Sequence, residues 1–387
     1  ASSLVGSEMC IRDRNKRFEK VVEYISNLTL SHFRSHKISK LSLDGRPVVV
    51  FGKNGTGKTN ILEAVSLFSP GRGLRRATAN DITRDPEAIG WKIEGRVKNR
   101  ISEYEVSISS ENGESRRLFL DGKKASIMRL GQILRIVWLV PSMDRLWIEG
   151  SSGRRQFLDR LTLSYFPDHA EISLSYEKAM RDRTRLLYVK VYNDNWFNAL
   201  EIEMAKSAVA IQKARLEAIK YLSEAQNHLT GKFPKADLLL VDSDEVIITN
   251  EEEAKQALRN SRSSDMILGR TSVGPHKSDL QAIYADKSTL AKDCSTGEQK
   301  ALLISIILAN AKSLAKLSDI SPIVLLDEVS AHLDRERQAA LYNEICKLGV
   351  QAWMTGTGPE LFSELKNKAQ FIEVSTINGV SALSLAN

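Results

Sequence analysis

Cysteine is scarce in this chain. The three present, Cys10, Cys294 and Cys346, are too few and too scattered for a disulfide framework or a cysteine-rich zinc site. A reducing, cytoplasmic compartment is the simpler expectation. Long apolar runs are also missing. The longest mostly apolar one, Ala301 to Ala309, falls far short of the roughly 18 residues that argue for a membrane span. No internal repeat is found, and no heptad seam lasts long enough for an extended coiled coil. Residues 1–14 lack the apolar stretch of a secretory signal and show no strand or helix period. They are read as a tag, a tail or a mistranslated extension running to about residue 18. Glycine is absent from residues 154–228, and proline occurs there once, as Pro167.

What remains is ordinary globular material. Of 387 residues, 42% are hydrophobic and 27% charged, enough for a sizeable core and against wholesale disorder. The length suggests two or three domains. A net charge of +7 favours an anionic partner without identifying it.

Patterning organises the chain. Ile25–Phe33 and Lys37–Leu43 read as short edge strands, and Pro47–Phe51 as a buried one. A glycine loop and a helix from Thr59 to Leu67 follow. Ile93–Ile108 alternates as a hairpin, Asp121-Gly122 marks a turn before another strand, and Ile133–Val140 reads as a buried strand. The glycine-free stretch reads as long amphipathic helices. Strands return at Leu238–Ile248, then a helix at Glu251–Arg259, then a serine-rich connector. Ala301–Leu317 is an apolar helix, Pro322–Leu326 a buried strand, Arg335–Leu348 a helix and Val350–Met354 a strand. Gln370–Leu383 reads as terminal strands. Strand–loop–helix patterns at both ends predict an α/β sheet domain with a helical insertion. The expected divisions are 19–150, a helical lobe at 151–235, and 236–387.

One loop carries chemistry. Gly52-Lys53-Asn54-Gly55-Thr56-Gly57-Lys58-Thr59 fits GxxxxGK[ST], between an apolar strand and a helix. Glycines let successive N–H groups turn onto phosphate oxygens, and the helix points its positive end at the same charge. Lys58 would reach the β and γ phosphates of ATP, and the Thr59 hydroxyl would bind Mg²⁺. Further on, the apolar strand Ile323–Leu326 ends in Asp327 and Glu328. Asp327 suits a Mg²⁺ ligand, and Glu328 is placed to orient or deprotonate a water. Alone, such a pair is as well explained by solvated acids at a strand end. The loop makes it functional.

Cys294-Ser295-Thr296-Gly297-Glu298-Gln299 precedes the apolar helix. It could be an ordinary N-cap. It also resembles the LSGGQ signature of the ABC ATPase superfamily, and Ser330-Ala331-His332-Leu333-Asp334 resembles that superfamily's D-loop. There, the signature of one subunit completes the ATP site of another, so Ser295 and Gly297 would meet a partner's γ phosphate.

The chain further resembles the RecF family, the SMC-like branch of that superfamily, from about Ile25 to the C-terminus. Leu30-Ser-His-Phe-Arg34 is similar to the Phe-Arg motif of SMC-type heads, whose basic residue lies near the nucleotide. Arg154-Arg155-Gln-Phe157-Leu-Asp159, the block Arg270–Asp279, and Leu325–Leu341 resemble three RecF blocks. The space between Lys58 and Asp327 admits a short helical arm but not a long coiled coil. The resemblance implies an ATPase head carrying a helical lobe and weak, DNA-stimulated hydrolysis. It implies an ATP-dependent homodimer on duplex or gapped DNA, working with RecO and RecR to load RecA. Pro141-Ser-Met-Asp144 stands where a Q-loop glutamine is expected, Ser151 where a proline is common, and Thr355-Gly-Thr357 where transporters carry a switch histidine.

Arg72, Arg75, Arg76, Arg154, Arg155, Arg181, Arg183 and Arg185 cluster near or in the helical arm. They could contact DNA phosphates without reading sequence. The plainer alternatives are a solvated helix face, or acid pairs that order the arm. No helix-turn-helix or zinc-finger spacing appears. Tyr165, Tyr176, Tyr188, Tyr192 and Trp196 are expected in the core rather than as base-stacking platforms. Two rival functions are a transporter's nucleotide-binding subunit, which a membrane partner would reveal, and a P-loop module without turnover, which an ATPase assay would reveal.

Overall fold

The structure, a computed structural model, describes residues 23–386 apart from 86, 100–101, 112, 190–192, 230–232, 243–247, 318–320 and 330–332. The N-terminal extension, Tyr192 and Ser330-Ala331-His332 therefore lie outside the described residues.

The chain runs β1 (Tyr24–Phe33), β2 (His36–Ser42), β3 (Val48–Phe51), α1 (Lys58–Ser66), α2 (Ala79–Ile82), β4 (Trp91–Lys98), β5 (Glu103–Ser110), β6 (Arg117–Leu120), β7 (Lys123–Ala125), α3 (Leu130–Ile133) and β8 (Ile136–Leu139). Helices α4 (Ser151–Tyr165), α5 (His169–Tyr188) and α6 (Asp194–Gln226) follow, then β9 (Ala236–Val241), α7 (Glu251–Asn260) and α8 (Arg262–Leu268). The last part holds β10 (Asp279–Tyr284), β11 (Thr289–Leu290), α9 (Thr296–Leu317), β12 (Ile323–Leu326), α10 (Arg335–Leu348), β13 (Ala352–Gly356), β14 (Gln370–Ile377) and β15 (Val380–Ala386).

The central sheet has the order β15-β14-β3-β13-β12-β8. Its strands are parallel except β15, which pairs antiparallel with β14. The last two strands, β14 and β15, thus join the early strand β3 in one sheet. Its four-residue strands β3, β8 and β12 are apolar at every position because both faces are covered. Alternate side chains divide between two cores. Val49, Phe51, Val324, Leu326 and Met354 face α9, whose buried run from Ala301 to Ala311 is apolar except at Ser305 and Asn310. Val48, Val50, Ile323, Leu325 and Trp353 face α1 and a second sheet, β2-β1-β4-β5-β6-β7. A small sheet, β11-β10-β9, packs beside the helical arm.

Several sequence expectations need correction. Strand β1 is internal rather than an edge, because β4 pairs along its other side. The stretch beginning at Ile133 opens with the turn of α3 and becomes strand only at Ile136. The serine-rich connector contains α8. Ser261 and Asp265 bond to each other there at 2.8 Å, and Gly269 ends the helix in the left-handed conformation. Tyr165 and Tyr176 pack inside, but Tyr188 and Trp196 are exposed. They sit at the end of α5 and the start of α6.

Candidate functional site

Strand β3, internal to the sheet, delivers Gly52 at its C-terminal end. The loop that follows needs glycine for steric reasons. At Gly52 a Cβ would stand 2.2 Å from the Val374 carbonyl oxygen. At Gly57, where φ is +105°, it would meet Ser381 Oγ at 2.5 Å. Lys53, Asn54 and Gly55 form the exposed tip. Lys58 is buried and folds back, its Nζ donating to the carbonyls of Gly52 (2.8 Å) and Lys53 (2.9 Å). Ser381 Oγ donates to the Thr56 carbonyl at 2.6 Å, and His36 Nε2 lies 3.2 Å from the Gly57 carbonyl. The loop's carbonyls are engaged by side chains, as expected where its N–H groups cradle an anion. Burial lowers the Lys58 pKa, while the charges of Glu328 and Asp327 counter that shift.

Strands β12 and β13 bring the acids to the same place. Thr59 Oγ1 donates to Asp327 Oδ1 at 3.0 Å, and Thr355 Oγ1 donates to the same oxygen at 2.7 Å. The Glu328 N–H donates to Thr355 Oγ1 at 2.8 Å. Glu328 has φ +50°, a conformation costly for a non-glycine residue, and this hydrogen bond helps hold it. A hydroxyl and a buried carboxylate side by side form a hard-oxygen set that fits Mg²⁺.

The sequence missed the brace around this loop. Ser381 Oγ lies 2.7 Å from Ser35 Oγ, and Asn60 donates to Ser35 Oγ at 2.8 Å. Arg34 points not at the loop but at buried Glu63 of α1, through bonds of 2.9 and 2.7 Å. Arg75 shares Glu63 at 3.1 Å and donates to Asn60 Oδ1 at 2.8 Å. The only available signal was Glu63, a carboxylate within the apolar stretch Ile61–Val65.

Ser295 and Gly297 are not brought to the loop within the chain. Ser295 N and Oγ both donate to Glu298 Oε2 at 2.9 Å, and the Glu298 N–H returns to Ser295 Oγ at 3.4 Å. This capping box opens α9 at the surface. Lys287 pulls the Glu298 carboxyl down to about 2, helped by the Ser295 N–H and hydroxyl. Asp144 pairs with buried Lys300 at 3.4 Å. Asp334 accepts the Arg337 N–H at 2.8 Å and caps α10.

The arginines divide. Arg154 makes a two-pronged pair with Asp279, each contact 2.8 Å, and braces α4 on β10. Arg183 is fully buried against Asp265 (2.7 Å) and Glu201 (3.1 Å). Arg155 donates to Ser151 Oγ (2.7 Å) and the Ser278 carbonyl (3.0 Å). Arg72, Arg76 and Arg185 are exposed, and the first two line a cleft with Arg160 beside α4 and α5.

A profile of the RecF/RecN/SMC N terminal domain matches residues 24–381. The DNA replication and repair protein RecF of Mesorhizobium japonicum is 43% identical over 363 residues, 91% of this chain and 96% of its own. That of Brucella suis is 43% identical over 362 residues, 91% and 94% of the two chains. A solved structure of the recombination mediator protein RecF with ATP, in the RecFOR pathway, superposes with a TM-score of 0.79 at 22% identity, over 95% of this chain and all of that one. The Smc head domain of Pyrococcus furiosus follows the same fold at a TM-score of 0.56 and 18% identity, over 95% and 97%. With that profile matched over residues 24–381 and RecF relatives 43% identical over 91% of its length, the chain belongs to the RecF family.

Proposed function

We propose that the chain binds ATP with Mg²⁺ in the loop from Gly52 to Thr59, hydrolyses it slowly, and closes as a homodimer on duplex or gapped DNA. The observation that carries this reading is the convergence of Thr59 and Asp327 at 3.0 Å beside the buried Lys58. Lys58 exchanges its two carbonyl partners for phosphate oxygens. Thr59 and Asp327 hold Mg²⁺, which supplies positive charge against the charge that develops on the transferred phosphoryl group. Glu328 orients and deprotonates the attacking water. Ser295, exposed, and Gly297, half-buried, at the start of α9 face the loop of a second copy. Arg72 and Arg76, and Arg75 in part, meet DNA phosphates.

The RecF relatives named for DNA replication and repair, and the RecF–ATP structure of the RecFOR pathway, support a role in DNA repair, and loading of RecA beside RecO and RecR is the finer form of this proposal. Among the described residues no helix is long and apolar enough to cross a membrane. Replacing Lys58 with Met keeps much of the stem and removes the charge. Titration with a fluorescent ATP analogue should show loss of tight binding with the melting profile retained. Parental affinity in this variant would overturn the assignment.

A further inference from the structure

The loop between α8 and β10 is held from beneath by buried groups. Arg183 donates to Thr271 Oγ1 at 3.1 Å. Arg215 donates to the Pro275 carbonyl at 2.7 Å and to Ser278 Oγ at 3.1 Å. His276 is clamped between the Tyr176 hydroxyl (2.7 Å, at Nδ1) and the Thr271 carbonyl (3.0 Å, at Nε2). The carbonyl can only accept, so Nε2 carries the proton and Nδ1 accepts from Tyr176. Gly274 has φ +129°, and a Cβ there would stand 2.2 Å from the Tyr176 oxygen. The loop is therefore rigid.

This loop closes a pocket of about 440 Å³ with the start of α4 and the middle of α5. Arg155, Arg181, Arg270 and Lys277 line it, with Ser151 and His276. The carboxylates nearby are already engaged. Asp159 holds Arg215 at 2.8 Å, Asp279 holds Arg154 at 2.8 Å, and Asp265 holds Arg183 at 2.7 Å. Asp242 lines a separate cavity with Val273 and Pro275. Glu177 reaches Arg181 only at 3.6 Å, and that pair is exposed. Arg155 donates to neutral oxygens, Ser151 Oγ and the Ser278 carbonyl. Among the described residues no carboxylate lies within ion-pair distance of Arg270 or Lys277. Glu177 at the exposed rim and Asp242 on the His276 side offset only part of the charge of four cations, and a concavity with that excess suits an anion with several acceptor oxygens.

We propose that this pocket is a phosphate-binding site, distinct from the Gly52–Thr59 loop, and that Arg155, Arg181, Arg270 and Lys277 hold the phosphate group. The group comes either from a DNA strand lying along the helical arm or from free phosphate. The DNA source rests on the proposed function.

The test uses the full chain with the nucleotide loop saturated with Mg-ADP. Inorganic phosphate and a blunt DNA duplex are titrated separately against the parent and an Arg270→Ala, Lys277→Ala pair. Phosphate binding should weaken at least tenfold in the pair. If the source is DNA, duplex affinity also falls, and its log–log salt slope drops by about two. Loss of phosphate binding with unchanged duplex affinity, or with a parent that binds no duplex, assigns the site to free phosphate. In the second case the DNA reading fails on its own. An Arg270→Lys, Lys277→Arg pair keeps the charges and should bind phosphate like the parent, which separates charge from fold. Unchanged phosphate binding in the alanine pair overturns the proposal.

Discussion

Thr355 donates its hydroxyl to Asp327 at 2.7 Å, and the same oxygen accepts the Glu328 N–H. One side chain thus fixes both acids of the site, from the place where transporters carry a switch histidine. Thr355→Val keeps the shape and removes both bonds. The Glu328 N–H loses its acceptor, and Asp327 retains Thr59 alone. Stability should fall by about 1–3 kcal/mol, the usual cost of a buried unsatisfied group. ATP turnover should fall about tenfold or more as Glu328 leaves its positive-φ conformation. Thr355→Ser should restore both. Guanidinium melts and single-turnover hydrolysis check this, and parental turnover in the valine variant would remove Thr355 from the site.

Arg183 is the second test. It ties α5 to α6 and α8 through Glu201 and Asp265, all wholly buried. Glu201 keeps Arg262 at 2.6 Å when Arg183 is removed, whereas Asp265 loses its cation. Arg183→Met should therefore cost about 3–5 kcal/mol. ATP affinity should change little, because the nucleotide loop follows β3 of the central sheet, whereas Arg183 and its partners lie in the helices α5, α6 and α8. A change in melting temperature too small to match that cost would show that water replaces the guanidinium.

These two cases mark what the sequence could and could not disclose. The glycine loop was legible because its constraints are local: small residues, one lysine and one hydroxyl in a single run. The acid pair was legible from a strand that stays apolar until it ends. Thr355 was noted only as a departure from a pattern, since its role depends on β13 lying between β3 and β12. Ser35 and Ser381, 346 positions apart, meet only because β15 of the central sheet packs against the β1–β2 turn of the second sheet. Charge patterning gave Arg72 and Arg183 the same character, yet one is exposed and the other fully buried. Arginine spacing along a helix does not reveal which face another helix covers.

Acid should expose a different brace. Burial alone would raise the Asp159 carboxyl, but the Arg215 charge and the His169 hydrogen bond lower it from 3.8 to about 2. A depressed carboxylate stabilises the fold above its unfolded value and loses that contribution as pH falls through the folded one. Stability should therefore decline between pH 3.8 and about 2. Asp159→Asn should be less stable at neutral pH and show a flatter acid limb. Denaturant melts across that range check it, and parallel acid limbs in both proteins would refute it.

The last prediction separates chemistry from assembly. Glu328→Gln keeps size and a hydrogen-bonding end while removing charge and basicity. Lys58, Thr59 and Asp327 remain, so ATP should still bind. Hydrolysis should fall by at least about a hundredfold, the low end for a general acid–base residue. The ATP-bound dimer should then accumulate on DNA. Ser295→Arg acts on the other half of the composite site. Ser295 is exposed and belongs to a capping box, so arginine costs a cap of about 1 kcal/mol without disturbing the loop. Each copy would bind ATP, but the bulky cation would keep the partner's γ phosphate from docking. Light scattering with Mg-ATP should find a dimer for Glu328→Gln and a monomer for Ser295→Arg. If Ser295→Arg dimerises like the parent, the signature does not complete a partner's site. If Glu328→Gln turns over ATP at the parental rate, the base lies elsewhere.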